Sequence, residues 1–168
     1  MFNFFFIFSS DVWKILREKN FEKFDEILHE KPNIINSLRG GLNGTLLMLA
    51  VFKKRFDIFV HLMKHPQDFS LVDFDGWNVL HYVGYRGNVE HLEMFDQQTI
   101  EMLINRTDNV KQTPLHIAVW NNNHDVIRWL LAKGGNPDLK DKDGRRPDER
   151  PECGFVTKEI FRSFRSSW

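Results

Sequence analysis

Apolar residues recur along the chain as paired clusters whose spacing is typical of short, packed helices. The first cluster of each pair follows a residue able to cap a helix, and these residues, Thr45, Asn78 and Thr113, stand 33 and 35 positions apart. The second cluster has apolar residues three and four positions apart, which predicts an amphipathic helix. The predicted second helices carry Phe56, Phe59, Val60, Leu62 and Met63; then Val89, Leu92 and Phe95; then Val126, Ile127, Leu130 and Leu131.

The clearest copy of this unit begins with the residues from Thr113 to Ala118, which read Thr-Pro-Leu-His-Ile-Ala. A threonine hydroxyl at a helix N-cap accepts a backbone N–H, and proline suits the first helical position because it has no N–H to leave unpaired. The pairs Leu130-Leu131 and Gly134-Gly135 follow at the matching distance. Together these residues resemble the signature of the ankyrin-repeat family, and the two weaker copies lie in the same register.

The resemblance covers residues 10–150 and implies an all-α fold, an ankyrin-repeat solenoid of helix-turn-helix units joined by β-hairpin-like loops, with degenerate capping repeats. We expect repeats at 10–38, 39–72, 73–107 and 108–140, followed by a truncated repeat at 141–150. An apolar tail at 1–9 and a capping helix with a tail at 151–168 complete the predicted organisation. Leu46 and Val79 replace the proline of the motif, Met48 replaces its histidine and Asn78 its threonine. These departures should weaken the second and third repeats without changing their topology.

The first predicted repeat is degenerate. Ser10 can cap a helix that runs through Trp13 and Leu16, and a partner helix follows until Pro32, which cannot continue it. That partner helix carries Phe21, Phe24, Ile27 and Leu28. The apolar stretch at 1–8 is too short to span a bilayer. It can be a disordered tail, a packed strand or helix, or a weak signal, and we favour a packed or frayed tail.

At the other end of the array, Asp148 and Glu149 occupy the places of the motif's leucine and histidine. Charged residues cannot enter an apolar stack, so the repeats should stop there. The following segment predicts a short capping helix whose apolar side carries Phe155, Ile160, Phe161 and Phe164.

Two details of the repeat have physical explanations. We expect His81 and His116 to link adjacent turns through hydrogen bonds rather than to act as bases or ligands. The position that ends each first helix needs a residue that tolerates a positive φ; Gly87 and Asn122 suit that place, whereas Lys54 suits it less well.

Composition narrows the function further. Lys and Arg total 23 and match the 23 Asp and Glu, so there is no electrostatic basis for direct nucleic-acid or membrane binding. A single cysteine, Cys153, excludes an internal disulfide and fits a reducing compartment. We therefore expect a cytoplasmic location, with a nuclear one as the alternative, and a monomer.

Candidate chemistry is sparse. His61 and His65 are one helical turn apart and could share a metal, but the sequence places no third ligand beside them, so we interpret them as a solvent-facing helix surface. Carboxylates such as Asp25 are likewise expected to face solvent. No phosphate loop, nucleophile elbow or paired zinc ligands occur. We expect no enzymatic activity, no catalytic residue, no metal and no cofactor.

The repeat register instead predicts a surface for a partner protein. Side chains just before each cap, and seven and eight positions after it, should point outward at the hairpin tips and on the concave helical face. Trp, Tyr and Arg are enriched among binding hot spots. The predicted contact residues are Phe74, Asp75, Trp77, Tyr85, Arg86, Gln112, Trp120 and Asn121. For Phe74, and for Phe52 seven positions after the Thr45 cap, a core role between repeats and a binding role are equally plausible.

A finer resemblance suggests one kind of partner. The stretch from Met102 to Val119 and the segment from Asn136 to Asp141 are similar to repeat junctions of I-kappa-B-type inhibitors, including short viral forms. This similarity implies, as an alternative to a general binding module, inhibition of a Rel/NF-kappa-B transcription factor. No Asp-Ser-Gly phosphodegron occurs in the chain, which weighs against the regulated host form more than the viral one.

Overall fold

The computed structural model describes residues 18–37 and 43–166, and every regular element in those ranges is helical. The expectation of an all-α solenoid is confirmed. The predicted tail at 1–9 and the predicted helix from Ser10 through Leu16 lie outside the described residues. The α-helices are α1 (Phe21–Glu30), α2 (Leu46–Phe52), α3 (Phe56–Leu62), α4 (Val79–Arg86), α5 (Val89–Leu92), α6 (Gln97–Leu103), α7 (Pro114–Trp120), α8 (His124–Ala132) and α9 (Phe155–Ser166), with 3-10 turns at Pro32–Ile34 and Pro147–Glu149.

The first helices of three successive pairs, α2, α4 and α7, pack side by side, while α3 and α8 pack against α2 and α7. Buried apolar side chains form one cluster that extends from Phe24 to Phe161. Gly84 permits the close approach of α4 and α7, because a Cβ there would lie 2.8 Å from the carbonyl oxygen of Pro114. None of the helices in the described ranges is long and apolar enough to cross a bilayer.

Each first helix begins at the cap that the sequence predicts. Thr45 Oγ1 accepts the backbone N–H of Met48 at 3.3 Å, and Thr113 Oγ1 accepts that of His116 at 3.4 Å. Asn78 serves the same purpose, because its Oδ1 accepts the N–H groups of Leu80 and His81 at 2.9 and 3.2 Å. Asparagine is a strong N-cap residue, so its presence in place of threonine leaves the helix start intact.

Buried histidines connect consecutive repeats. His81 Nδ1 accepts the backbone N–H of Asn78 at 3.2 Å, and its Nε2 donates to the carbonyl of Gln112, in the next loop, at 3.0 Å. His116 repeats this arrangement with Thr113 and with the carbonyl of Arg145. Burial lowers the pKa of His81 to about 4, because the charged ring would be desolvated, and the same cause lowers the pKa of His116. The predicted links are confirmed, and the rings forming them are neutral.

Buried aspartates shape the hairpin-like turns. Oδ1 of Asp73 accepts the N–H groups of Asp75 and Trp77, each at 2.9 Å. Asp108 and Asp141 accept two backbone N–H groups in the same way, at 2.8–3.0 Å. The second oxygen of each carboxylate accepts a side-chain donor: Tyr82 Oη for Asp73, Trp77 Nε1 for Asp108 and an Arg150 nitrogen for Asp141.

The outer segment of the third repeat differs from the prediction. Instead of one helix through Phe95, the chain forms α5 and α6 with a break between them. The Asp96 carboxylate accepts the N–H of Thr99 at 2.7 Å and so restarts the helix, while Phe95 is buried in the break. The lengthened repeat is accommodated by an added cap.

Two predicted apolar faces each contained one wrong residue. In α3, Phe56 is 38 % exposed and Ile58 is buried, because Ile58, Phe59 and Leu62 form the packed face. In α9, Phe155 is 76 % exposed at the first residue of the helix. Thr157 is buried instead, together with Ile160 and Phe161, and Phe164 packs against the core while half-buried.

The prediction of a positive φ at Gly87 is also wrong. Lys54 and Asn122 adopt φ values of 55° and 53°, but Gly87 has φ −85° because α4 continues one residue further than α2 and α7. Glycine is needed there for space, since a Cβ would lie 2.7 Å from Val83 Cγ1.

Replacing Leu115 with alanine should destabilise the protein by about 2–5 kcal/mol, because Leu115 is 1 % exposed in α7 and its loss leaves a cavity. Chemical denaturation of both proteins measures this difference. Met102→Ala is the matched surface control, with an expected change below about 0.5 kcal/mol. Equal effects of the two substitutions would contradict the assigned packing.

The neutral state of His81 predicts a pH dependence of stability. An unfolded histidine titrates near 6.5, so between roughly pH 6.5 and 4 the unfolded chain takes up a proton that the folded chain does not. The contribution of His81 is therefore complete above pH 6.5 and is lost as the pH falls towards 4, by on the order of 2–3 kcal/mol.

The free energy of unfolding, measured by denaturation at pH 7 and pH 5, should differ less in His81→Met than in the wild type. Methionine is a suitable replacement because Met48 occupies the corresponding position of the preceding repeat. The exposed His29 provides the control, and His29→Ala should keep the full effect. An unchanged pH effect in His81→Met would show that another group is responsible.

Candidate functional site

Three aromatic side chains at equivalent positions of successive repeats form a stack along the ends of the first helices. Phe52 and Tyr85 have ring centroids 6.2 Å apart with planes inclined by 25°, and Tyr85 and Trp120 are 5.8 Å apart at 15°. Each residue lies seven positions after its helix cap, so the repeat register itself aligns the rings. We call Phe52, Tyr85 and Trp120 the aromatic ladder. Trp120, at the end of the ladder, is 44 % exposed.

Two cations lie against the Phe52 end of the ladder. The guanidinium carbon of Arg86 is 4.9 Å from the Phe52 centroid and 5.1 Å from that of Tyr85, and Lys53 Nζ is 5.6 Å from the Phe52 centroid. These distances are in the range of cation–π attraction. In the part of the chain that the structure describes, no carboxylate forms an ion pair with Arg86 or Lys53.

Trp77 supports the ladder from behind rather than projecting freely. It is half-buried, and its indole Nε1 donates to Asp108 Oδ2 at 3.0 Å. Its ring meets those of Tyr82 and Tyr85 edge to face, with centroids 5.6 and 5.7 Å apart. The sequence placed Trp77 among the outward contact residues, and the structure gives it a role in holding Tyr85.

The remaining predicted residues divide between the tips and the helix ends. Phe74 is 69 % exposed at a hairpin tip, beside the exposed Asp75, whose carbonyl accepts the N–H of Asn109 at 2.9 Å. Gln112 is half-buried, and its carbonyl and N–H are both used by the repeat. Asn121 is exposed immediately after Trp120. The structure thus brings Tyr85, Arg86, Trp120 and Asn121 to one surface, with Phe74 and Asp75 at the tips.

The repeat register predicts that Phe52 and Lys53 point outward, although neither is among the predicted contact residues. Phe52 is half-buried, because it packs against the core and also lies within cation–π distance of Arg86 and Lys53. The repeat register indicates both residues as contact candidates, since Phe52 and Lys53 precede Tyr85 and Arg86 by one repeat.

The interpretation of His61 and His65 as a solvent-facing pair is wrong. His61 is buried, and both imidazoles approach Asp25 of α1, with Nε2 to Oδ1 distances of 2.9 Å for His61 and 3.2 Å for His65. Asp25 is exposed, as the sequence predicts, but its contact with His61 spans 36 residues and depends on the packing of α1 on α3.

Cys153 is buried, and this burial raises the pKa of its thiol. The thiolate, which is the nucleophilic form, is therefore disfavoured at neutral pH.

Comparison with known proteins identifies the repeat. A family model described as ankyrin repeats in three copies matches residues 47–141. The probable 26S proteasome regulatory subunit p28 of Saccharomyces cerevisiae is 27 % identical over 137 residues, which are 79 % of this chain and 59 % of p28. The rat nuclear factor NF-kappa-B p105 subunit is 32 % identical over 115 residues, covering 67 % of this chain and 12 % of that protein.

Mouse Rabankyrin-5 is 28 % identical over 117 residues, which are 62 % of this chain and 10 % of its own length. The chain thus spans about three fifths of p28 and a small part of the two longer relatives. The family match extends over more than half of the chain and includes the caps at Asn78 and Thr113, the linking histidines and the turn aspartates described above. The chain belongs to the ankyrin-repeat family.

Proposed function

We propose that this chain is a non-enzymatic module that binds a partner protein through the aromatic ladder and the adjoining hairpin tips. Ankyrin repeats generally mediate protein–protein interaction. The observation that carries the proposal is the stack of Phe52, Tyr85 and Trp120 with Arg86 beside it. Tryptophan, tyrosine and arginine are the residue types most enriched among binding hot spots.

The surface favours a partner segment that combines an apolar side chain with a carboxylate. The rings of Tyr85 and Trp120 offer flat apolar area, and the guanidinium of Arg86 can bind a carboxylate through two parallel hydrogen bonds. Lys53 adds a second positive charge near Phe52. We propose that the protein binds this partner in the cytoplasm or, alternatively, in the nucleus. It acts as a monomer without a cofactor, and it does not contact nucleic acid or membrane directly.

A Rel-type transcription factor is the second candidate partner. It is supported by the similarity to the NF-kappa-B p105 subunit, which covers two thirds of this chain, and by the resemblance of the 102–119 junction to I-kappa-B-type inhibitors. The function in that case is inhibition of the transcription factor, in a host or viral setting. We prefer the general binding module because the chain is also similar to p28, whose name describes a proteasome regulatory subunit and not an inhibitor of a transcription factor.

Trp120→Ala should weaken partner binding by about 2 kcal/mol, roughly thirty-fold in Kd, as expected for a hot-spot residue. The free energy of unfolding should change by no more than about 1 kcal/mol, because Trp120 is 44 % exposed and loses mainly its stacking on Tyr85. A partner isolated with the wild-type chain would be titrated against both proteins.

The matched control is Phe155→Ala, which removes another exposed aromatic side chain, on α9 and outside the ladder. It should leave the Kd unchanged. Equal binding by Trp120→Ala and the wild type would refute the ladder as the contact surface, and a large loss of stability would place Trp120 in the core.

Binding of a purified Rel-homology domain tests the second candidate directly. A Rel-type partner should bind the wild-type chain with a Kd that rises at least about ten-fold in Arg86→Gln, since the substitution removes the cation from the ladder. Calorimetric titration measures both values. Absence of binding while another partner is captured would exclude the Rel-type function and leave the general module standing.

A further inference from the structure

The contact between Asp25, His61 and His65 joins two helices that are distant in sequence. Asp25 lies in the middle of α1, His61 lies in the last turn of α3, and His65 follows one turn later. One ligand atom from each residue lies within 4.8 Å of the others. Two imidazole nitrogens therefore converge on a single carboxylate oxygen, Asp25 Oδ1.

Aromatic packing fixes the two imidazole rings. Phe21 stacks on His61 with centroids 4.2 Å apart and planes inclined by 15°. Phe24 meets His61 and His65 edge to face, at 5.8 and 6.3 Å. Because these neighbours hold the rings, the nitrogens are arranged before any ligand arrives. The Asp25 side chain is 47 % exposed, so the cluster can be reached from solvent.

The hydrogen bonding of this cluster is incomplete. His61 Nε2 donates to Asp25 Oδ1 at 2.9 Å. His65 Nε2 is buried beside the same oxygen, at 3.2 Å, yet makes no hydrogen bond of acceptable geometry within the described residues. A buried polar atom without a partner destabilises a fold, because it has lost its hydrogen bonds to water. A cation between the three groups would satisfy all of them at once.

We propose that Asp25, His61 and His65 form a binding site for a divalent transition-metal ion, best matched by Zn²⁺. Imidazole nitrogen and carboxylate oxygen are both zinc ligands, with bonds of about 2.0–2.2 Å. Tetrahedral coordination at such bond lengths separates neighbouring ligand atoms by about 3.3 Å. The two distances to Asp25 Oδ1, 2.9 and 3.2 Å, need only a small increase to reach it.

Three protein ligands leave the fourth zinc position for water or an external ligand. Asp25 and His65 also line an open groove with Leu28, His29, Pro32, Ile35 and Pro66, so two of the three proposed ligands border accessible space. The ion would bridge α1 to α3 and its following turn, and so would fasten the helix at the start of the described chain to the next repeat. None of the three ligands belongs to the aromatic ladder, so the metal-site proposal and the partner-surface proposal can be tested independently.

Calorimetric titration of the full chain, without a histidine tag, with zinc chloride tests the proposal. We expect one saturable site per chain. Asp25→Asn and His65→Ala should each weaken zinc binding at least about ten-fold, since even an outer neighbour of a metal ligand has an effect of that size. His124→Ala is the matched control, because His124 lies on α8 in another repeat. The zinc affinity of this variant should equal that of the wild type.

Two further readouts separate a built site from loose surface binding. Zinc should raise the melting temperature of the wild type and of His124→Ala, but not that of Asp25→Asn, whose exposed position allows it to fold normally. Co²⁺ in place of Zn²⁺ should give the visible absorption of a four-coordinate ion. Absence of saturable binding, or equal affinity in the wild type, Asp25→Asn and His65→Ala, would overturn the proposal and leave the cluster as a hydrogen-bonded contact only.

Discussion

The fold depends on how its turns keep polar groups paired inside an apolar stack. Asp73, Asp108 and Asp141 are each nearly fully buried, and each carboxylate accepts two backbone N–H groups of its own turn and one side-chain donor. A buried carboxylate without such partners would be strongly unfavourable. These bonds fix the turn, the turn fixes the position of the helix cap, and the cap fixes the helix that follows.

The hydrogen bonds of His81 and His116 connect each helix cap to the turn of the following repeat. A neutral imidazole that accepts from its own cap and donates to the carbonyl of the following turn sets the spacing between repeats. Met48 occupies the corresponding place one repeat earlier and only receives a weak contact from the Thr45 N–H at 3.4 Å. The junction after Met48 relies instead on the apolar packing of α2 against α4. Equal spacing is what stacks Phe52, Tyr85 and Trp120.

Features that depend on the repeat register could be predicted from the sequence. The caps at Thr45, Asn78 and Thr113, the linking histidines and the aligned positions of Tyr85 and Trp120 all follow from counting along the chain. Features that depend on the rotation of one helix against another could not. The approach of Asp25 to His61 depends on the packing of α1 against α3, and the hydrogen bond from Trp77 to Asp108 depends on which rotamer the neighbouring repeat permits. The repeat register predicts which residues occupy equivalent positions, and side-chain contacts between repeats determine which of those residues are exposed.

The ladder and the hairpin tips should therefore contribute differently to binding. Tyr85 is held by rings on three sides, from Phe52, Trp77 and Trp120, so little of its side-chain freedom remains to be lost when a partner docks. Phe74 is 69 % exposed and has no aromatic neighbour within the described residues, so ordering its side chain opposes the gain from its contacts. Affinity should arise mainly from the preorganised ladder. The exposed side chains at the tips are then better suited to distinguishing one partner from another, because their contacts form only where the shapes agree.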